Sequence, residues 1–436
     1  MAKVTSKSAA RKAAYLMDCA KTYYPEPLTL VSGDGAYVTD EDGRRYLDFF
    51  AGIAVLVSGH NHPKVTAAVH DQVDKIVHTS TLYLNEPMLD LAEKLSELSP
   101  PGLDKVFIGN SGTEANELAA VLARHFTKNS EFISLAHAYH GRSAWTVGIT
   151  GLSAWRNFGG EPSKIVFAPN AYCYRCPLHL TYPSCEIACA KAIEGIIKTE
   201  TSGRVAGYFA ETIQGVGGII TPPPEYYGVV KEILERHGIL FIADEVQTAW
   251  GRLGHNLFGI SDWGVTPDIV TSAKGLGNGL PISVVIARRE IADAYQGPHI
   301  NTFGGNPLSS RAAAATLDVI EAEGLTENAR AVGERLMSRL RALGEKHAIV
   351  GEVRGRGLMI GIELVRDRKT KEPAGDAAER ALNVCKDKGL LIGRGGLYSN
   401  TLRIQPPLIV SAEQADEAAR ILDEALGIAS KEFARA

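Results

Sequence analysis

Residues 205–245, VAGYFAETIQGVGGIITPPPEYYGVVKEILERHGILFIADE, carry the pattern that decides the fold. VAGYFAE (205–211) is a short run, apolar almost to its last residue. YYGVVKEILERHG (226–238) spaces its apolar residues for one face of a helix. GILFIADE (238–245) follows at once as a second apolar run. Strands buried on both faces lose the in–out alternation of half-exposed ones, and a helix between two of them implies a crossover. The unit is strand–helix–strand in a mostly parallel sheet.

The same alternation extends both ways. KVFIGN (105–110) precedes EANELAAVLARHF (114–126), and DIVTSAK (268–274) and PISVVIARR (281–289) come later. This predicts an α/β large domain over 61–325. In the N-terminal segment, 1–60, LTLVSGDGAYVTDEDGRRYLDF reads as strand-like runs around the hairpin signal DEDG. Over 326–436, GLMIGIELV (357–365) and LRIQPPLIV (402–410) read as strands. The amphipathic SAEQADEAARILDEALGIA (411–429), with Ser411 as N-cap and Glu413 close behind, completes a smaller α+β domain.

Composition narrows the function. The 436 residues are 45% hydrophobic and 22% charged, with a formal net charge of −4. That is a soluble globular balance without the basic footprint of a nucleic-acid binder. No apolar run reaches the ~20 residues that span a bilayer. The first 17 residues hold Lys3, Lys7, Arg11 and Lys12 with no acid and no signal-peptide core. A solvated helix or a transit peptide fits them, and the expected location is cytoplasmic.

Four features carry chemistry. In IGNSGTEANELA a strand ends and Ser111, Gly112 and Thr113 open a helix, which makes either an anion site or a simple cap. In FIADEVQ an apolar strand delivers Asp244 to its carboxyl end, where open α/β sheets bind ligands; a buried carboxylate there needs a positive partner. In TSAKGLGNG, Lys274 stands among small residues, which would let an aldehyde cofactor approach closely enough for a Schiff base. In AYHGRSAW, Tyr139 and His140 sit on a glycine turn where an aromatic ring could stack. Phosphate site, ring-nitrogen acid, lysine and stacking aromatic are what pyridoxal phosphate requires.

With NSGTEAN, YHGR, E-x-x-QG, ADEVQ, AKGLGNGLP and NTFGGNP in this order, the chain resembles the class III, or ω-type, pyridoxal-phosphate aminotransferases of fold type I. TFGGNP, GLMIGIELV and GLLIGRGGLYSNTLRI are most similar to the alanine–glyoxylate aminotransferase 2 branch. The 4-aminobutyrate and acetylornithine branches are neighbours.

The resemblance implies a large domain with a mostly parallel sheet, and a small α+β domain built from the C-terminal part and the N-terminal segment. It implies pyridoxal 5'-phosphate, amino acid and 2-oxo acid substrates, and a homodimer or tetramer. Lys274 would carry the cofactor and shuttle the proton. Asp244 would hold the pyridine nitrogen protonated. Ser111, Gly112 and Thr113 would bind the phosphate, with Thr302 reaching the phosphate of the neighbouring subunit. Tyr139 and Val246 would cover the two ring faces, with His140 beside them, and Gln247 would approach the phenolic oxygen. Arg403 would clamp the α-carboxylate, pairing with Glu211 when none is bound, and Arg142 would receive a distal carboxylate.

The implied reaction is ping-pong transfer from alanine, 4-aminobutyrate or a β-alanine-type donor to glyoxylate, pyruvate or 2-oxoglutarate. An acetylornithine- or ornithine-type aminotransferase, a racemase and a lyase are the alternatives within the family. A non-catalytic protein on the same fold would be expected to lack Lys274 or Asp244, and both are present.

Two departures bear on substrate preference. Where the family has E-P-x-QG, Thr212 makes ETIQG, and DEVQTAWGR carries Ala249 and Trp250. Both are expected near the substrate entrance or the dimer contact. Cys173, Cys176, Cys185 and Cys189 crowd into one short stretch. They are either a candidate zinc or iron–sulfur ligand set or free thiols of a surface insertion.

Overall fold

The computed structural model describes residues 7–156 and 164–433. β1 (Leu30–Asp34), β2 (Tyr37–Asp40) and β3 (Arg45–Asp48) form an antiparallel meander, with DEDG as the turn between β2 and β3. Asp40 shapes that turn, because its Oδ1 accepts from the amides of Asp42 at 3.1 Å and Arg44 at 2.9 Å. Ahead of the meander, Lys7–Tyr15 is a helix with no buried residue. Lys3 lies outside the described residues.

Seven strands form the large sheet: β4 (Lys105–Gly109), β5 (Glu131–Leu135), β6 (Ile165–Ala168), β7 (Val205–Glu211), β8 (Leu240–Asp244), β9 (Ile269–Ser272) and β10 (Ser283–Ala287). Their order is β4-β10-β9-β8-β7-β5-β6. β10 runs antiparallel to β9 and β4, and the pairs among β5 to β9 are parallel. Every residue of β7, β8 and β10 is buried, as their unbroken apolar runs require. Glu211 pairs with Asp244, and Asp244 with Thr271. Three adjacent parallel strands therefore end level.

β11 (Val350–Arg356), β12 (Met359–Leu364), β14 (Gly393–Gly395) and β15 (Thr401–Ile404) make a second, antiparallel sheet in the order β11-β12-β15-β14. β13 (Leu390–Leu391) instead pairs parallel with β3, so the N-terminal meander and the C-terminal part share a sheet. The run LRIQPPLIV is shorter as a strand than its apolar character suggests. β15 stops at Ile404, because Pro406 and Pro407 lack the N–H a ladder needs. Ser411 does cap the last helix, Ala412–Phe433, but its reciprocal partner is Gln414, not Glu413. The Gln414 amide donates to Ser411 Oγ (3.2 Å) and the Ser411 amide to Gln414 Oε1 (2.9 Å).

One buried ionic knot ties the small domain to the large one. Arg354 of β11 donates through Nη1 to Glu352 (2.5 Å) and Glu363 (2.6 Å), and through Nη2 to the carbonyl of Gly218 (2.6 Å) and to Tyr172 Oη (3.1 Å). Tyr172 and Arg175, from the cysteine-rich stretch, also reach Glu363. Removing one partner of such a set strands a buried charge, at a cost of roughly 3–5 kcal/mol. Arg354→Ala is expected to lower the thermal unfolding midpoint clearly, measured by circular dichroism. An unchanged midpoint would show that the knot contributes no stability.

Candidate active site

The level ends of β7, β8 and β9 open onto a cavity of about 350 Å³. Asp244, the last residue of β8, is 4% exposed. Its Oδ2 accepts from Asn116 Nδ2 at 2.9 Å and lies 2.7 Å from His140 Nδ1, and its Oδ1 accepts from the Val246 amide at 3.1 Å. Asn116 is fixed in turn: its Oδ1 accepts from Thr271 Oγ1 (2.6 Å) and its Nδ2 also donates to the His140 carbonyl (2.8 Å). A buried carboxylate held from behind in this way presents its charge to the cavity in one orientation.

Lys274 follows β9 in left-handed backbone, with φ +40°. It lines the cavity, and its amine has no hydrogen-bond or ion-pair partner among the described residues. Burial pulls its amine down to about 8; Asp244 and Glu211 pull it up and Arg403 pushes it lower. A lysine so tuned is a nucleophile near neutral pH.

The glycines after Lys274 have another reason than the one the sequence suggests. A Cβ on Gly275 would lie 2.6 Å from Val57 Cγ1 and 3.2 Å from Trp250, and one on Gly277 would lie 2.8 Å from Ile282. Packing behind the loop demands them, whereas Ala273 and Gly279 do face the cavity.

Ser111 caps the helix Gly112–Thr127, its Oγ accepting from the Glu114 amide at 3.3 Å. Gly112 and Thr113 therefore open the helix with amides that have no intrahelical acceptor. Gly112 leaves no room for a side chain, since a Cβ there would sit 2.9 Å from Val246 Cγ2. Tyr139, His140, Val246 and Gln247 line the same cavity as Asp244 and Lys274. Tyr139 packs edge-on against Trp155, with ring centroids 5.1 Å apart.

Glu211 also lines the cavity, but the predicted Glu211–Arg403 pair is absent. Glu211 spends both oxygens on backbone amides, those of Tyr139 and Gly215, each at 2.8 Å. Burial pushes its carboxyl up to about 7, with His140 opposing and Asp244 reinforcing. Arg403, 4% exposed, stands behind Gln247 and is not part of the cavity lining. Its Nη2 donates to Gln247 Oε1 at 2.9 Å. Arg142 and Thr302 are exposed and outside the lining. The Arg142 amide donates to Thr113 Oγ1 at 3.4 Å.

The departures at 212, 249 and 250 are not at an entrance: all three residues are buried. Thr212 donates to the fully buried Glu245, which also accepts from Thr248 Oγ1 (2.8 Å) and the amides of Gly259 (2.9 Å) and Ile260 (2.7 Å). Trp250 Nε1 donates to the Ala273 carbonyl at 3.1 Å, directly beneath the lysine loop.

The four clustered cysteines are free and line a separate cavity of about 20 Å³. Among the described residues, no group of three or more His, Cys, Asp or Glu could hold a metal ion. Burial and the neighbouring cysteines push the thiols of Cys173 and Cys189 up to about 11.

Sequence reasoning gave no role to Asn116, although it lies inside the quoted NSGTEAN. It also missed the apolar wall of Val55, Ile213 and Ile282, which no local pattern announces.

A family model described as "Aminotransferase class-III" matches residues 19–426. The chain belongs to the class-III aminotransferases. It is 44% identical over 401 residues to alanine–glyoxylate aminotransferase 2 homolog 2, mitochondrial, of Arabidopsis thaliana, covering 92% of this chain and 83% of the relative. It is 41% identical over 405 residues to a leucine/methionine racemase of Thermococcus litoralis, covering 92% and 90%. An amine transaminase from an uncultivated Pseudomonas species, solved in its PLP-bound form, superposes with a TM-score of 0.88 at 32% identity, covering 96% of this chain and 98% of that one. This aminotransferase thus has the fold type I architecture of pyridoxal-phosphate-dependent transaminases.

The lowered lysine value sets a pH dependence. Only the uncharged amine attacks an aldehyde, so attachment of pyridoxal phosphate to cofactor-free protein should speed up as pH rises through about 8 and then level off. Asp244 raises the lysine value, so Asp244→Asn should move the rise to lower pH. Stopped-flow absorbance measures both, and a midpoint unmoved by Asp244→Asn would contradict the coupling.

Proposed function

We propose that this aminotransferase moves the amino group of an amino acid or ω-amino acid to a 2-oxo acid, with pyridoxal 5'-phosphate held against Lys274. The observation that carries the reading is the unpartnered, burial-tuned Lys274 facing the same cavity as the tethered carboxylate Asp244.

The residues fit the cofactor. The amides opening Gly112–Thr127, with the Ser111 and Thr113 hydroxyls, suit a phosphate. Gly112 keeps the slot beside Val246 free of a side chain. Asp244 suits a cationic ring nitrogen, as a charge-assisted acceptor. When bound, the cofactor supplies a carbonyl that takes the donor nitrogen and a cationic ring that withdraws electrons.

The chain's own groups do the rest. Asn116 and His140 orient Asp244. Lys274 Nζ accepts and returns a proton, which an amine pulled down to about 8 does readily. Tyr139 and Val246 exclude water from the cavity walls. Gln247 leaves its Nε2 as a free donor on the lining, because its Oε1 is taken by Arg403. Arg403 is the group for the α-carboxylate, reached past Gln247. Arg142, exposed beside the helix N-terminus, suits a distal carboxylate.

The active unit in this reading is a homodimer. Thr302 is exposed between the exposed Ile300 and Phe303, and Leu82, Tyr83 and Leu84 are exposed as well. Such apolar surface suits burial against a second copy, which would bring Thr302 to the partner's phosphate.

The likeness to a racemase supports a second reading on the same residues. Mixing the cofactor-loaded protein with L-alanine, with no acceptor, separates the two. Transamination releases about one pyruvate per site and converts the bound cofactor to its aminated absorbance. Racemisation loses optical rotation without pyruvate. 4-Aminobutyrate and β-alanine, tried in the same way, name the donor class.

A further inference from the structure

Arg403 and Gln405 flank Ile404 at the end of β15, so their side chains leave on the same face. Gln405 is fully buried. Its Oε1 accepts from Arg403 Nη2 at 2.8 Å, and its Nε2 donates to Gln247 Oε1 at 3.3 Å. Gln247 Oε1 accepts from the same Arg403 nitrogen at 2.9 Å. Two amide side chains thus close a triangle around one guanidinium nitrogen.

The triangle has little slack. A Cβ on Gly215 would lie 2.6 Å from the Gln247 amide atoms, so that amide is walled on the far side. Arg403 also lies over the Phe50 ring, 5.4 Å from its centroid. Among the described residues, no carboxylate pairs with Arg403, and its buried Nε has no partner. Glu211 acts on Arg403 only through space, its oxygens being occupied by backbone amides. A buried guanidinium whose hydrogen bonds all go to neutral acceptors has no ion-pair partner of its own, so an incoming carboxylate gains a charge-assisted interaction.

We propose that Gln405 is a positioning residue that keeps Arg403 oriented yet uncompensated, and so sets the site's affinity for carboxylates. This rests on the reading of Arg403 as the carboxylate clamp. A charged acceptor at 405 would satisfy Arg403 internally and compete with substrate. An apolar residue there would leave the guanidinium held by Gln247 alone and would release the Gln247 amide to turn.

The test is calorimetric titration of the cofactor-loaded protein with propanoate, a carboxylate that cannot react, and with uncharged propanamide. Gln405→Glu should weaken propanoate binding roughly thirtyfold, since it substitutes an internal ion pair for the one with ligand. Gln405→Met should weaken it roughly fivefold through lost orientation. Propanamide binding and the cofactor absorbance should stay the same in both, which a merely structural role for Gln405 would not predict.

Arg403→Gln serves as the reference. If it loses propanoate binding while both Gln405 variants bind like the parent, the role of Gln405 is overturned and the clamp stands. If Arg403→Gln itself binds propanoate like the parent, the clamp reading fails and this inference with it. Should Gln405→Glu not fold, the Gln405→Met result decides alone.

Discussion

The whole site depends on one buried carboxylate being held still. Asp244 ends a strand with both faces covered, where an unpartnered charge is expensive. Asn116, His140 and the Val246 amide satisfy its inner side. Asn116 comes from the helix after β4, His140 from the turn after β5, and Thr271, which fixes Asn116, from β9. The tether therefore draws on elements across the large sheet, and any shift in their register would reach the charge. Lys274 feels the same carboxylate through space, and its amine value is a balance between burial and Asp244. Fold and chemistry meet at this point.

The register that makes this work could be read from sequence, because strand interiors in a covered parallel sheet advertise themselves as apolar runs. Each run here ends on a polar residue that lies at the sheet's carboxyl edge: Glu211, Asp244, and Lys274 just beyond Ser272. The helix N-terminus at Ser111 was legible for the same local reason, a cap residue after a strand. Tertiary choices were not. Gly275 and Gly277 look cleared for a ligand, yet Val57, Trp250 and Ile282 pack against them from behind. Thr212 and Trp250 look like entrance variants and instead serve a buried glutamate and the floor beneath Lys274. Gln405 and Arg403 meet Gln247 from more than 150 residues away, and neutral amides leave no charge pattern by which sequence could pair them.

The two domains share their burdens unequally. The large domain supplies the residues that suit a cofactor. The small domain supplies Arg403, on a strand whose neighbour β12 carries Glu363. Glu363 meets Arg354, Tyr172 and Arg175 in the buried knot, so the cysteine-rich stretch acts here as a strap between the domains. The N-terminal meander joins the same assembly through β3 and β13, and the segment just after it contributes Val55 to the cavity. Val55, Arg403 and the Trp250 floor beneath Lys274 thus come from three separate parts of the chain.

The central claim is that Lys274 is the amine on which the chemistry turns. Reducing the cofactor-loaded protein with borohydride and mapping the modified peptide by mass spectrometry tests it directly. The account predicts a reduced pyridoxyl-phosphate adduct on Lys274 and no comparable adduct elsewhere. An adduct on another lysine, with Lys274 unmodified, would contradict it.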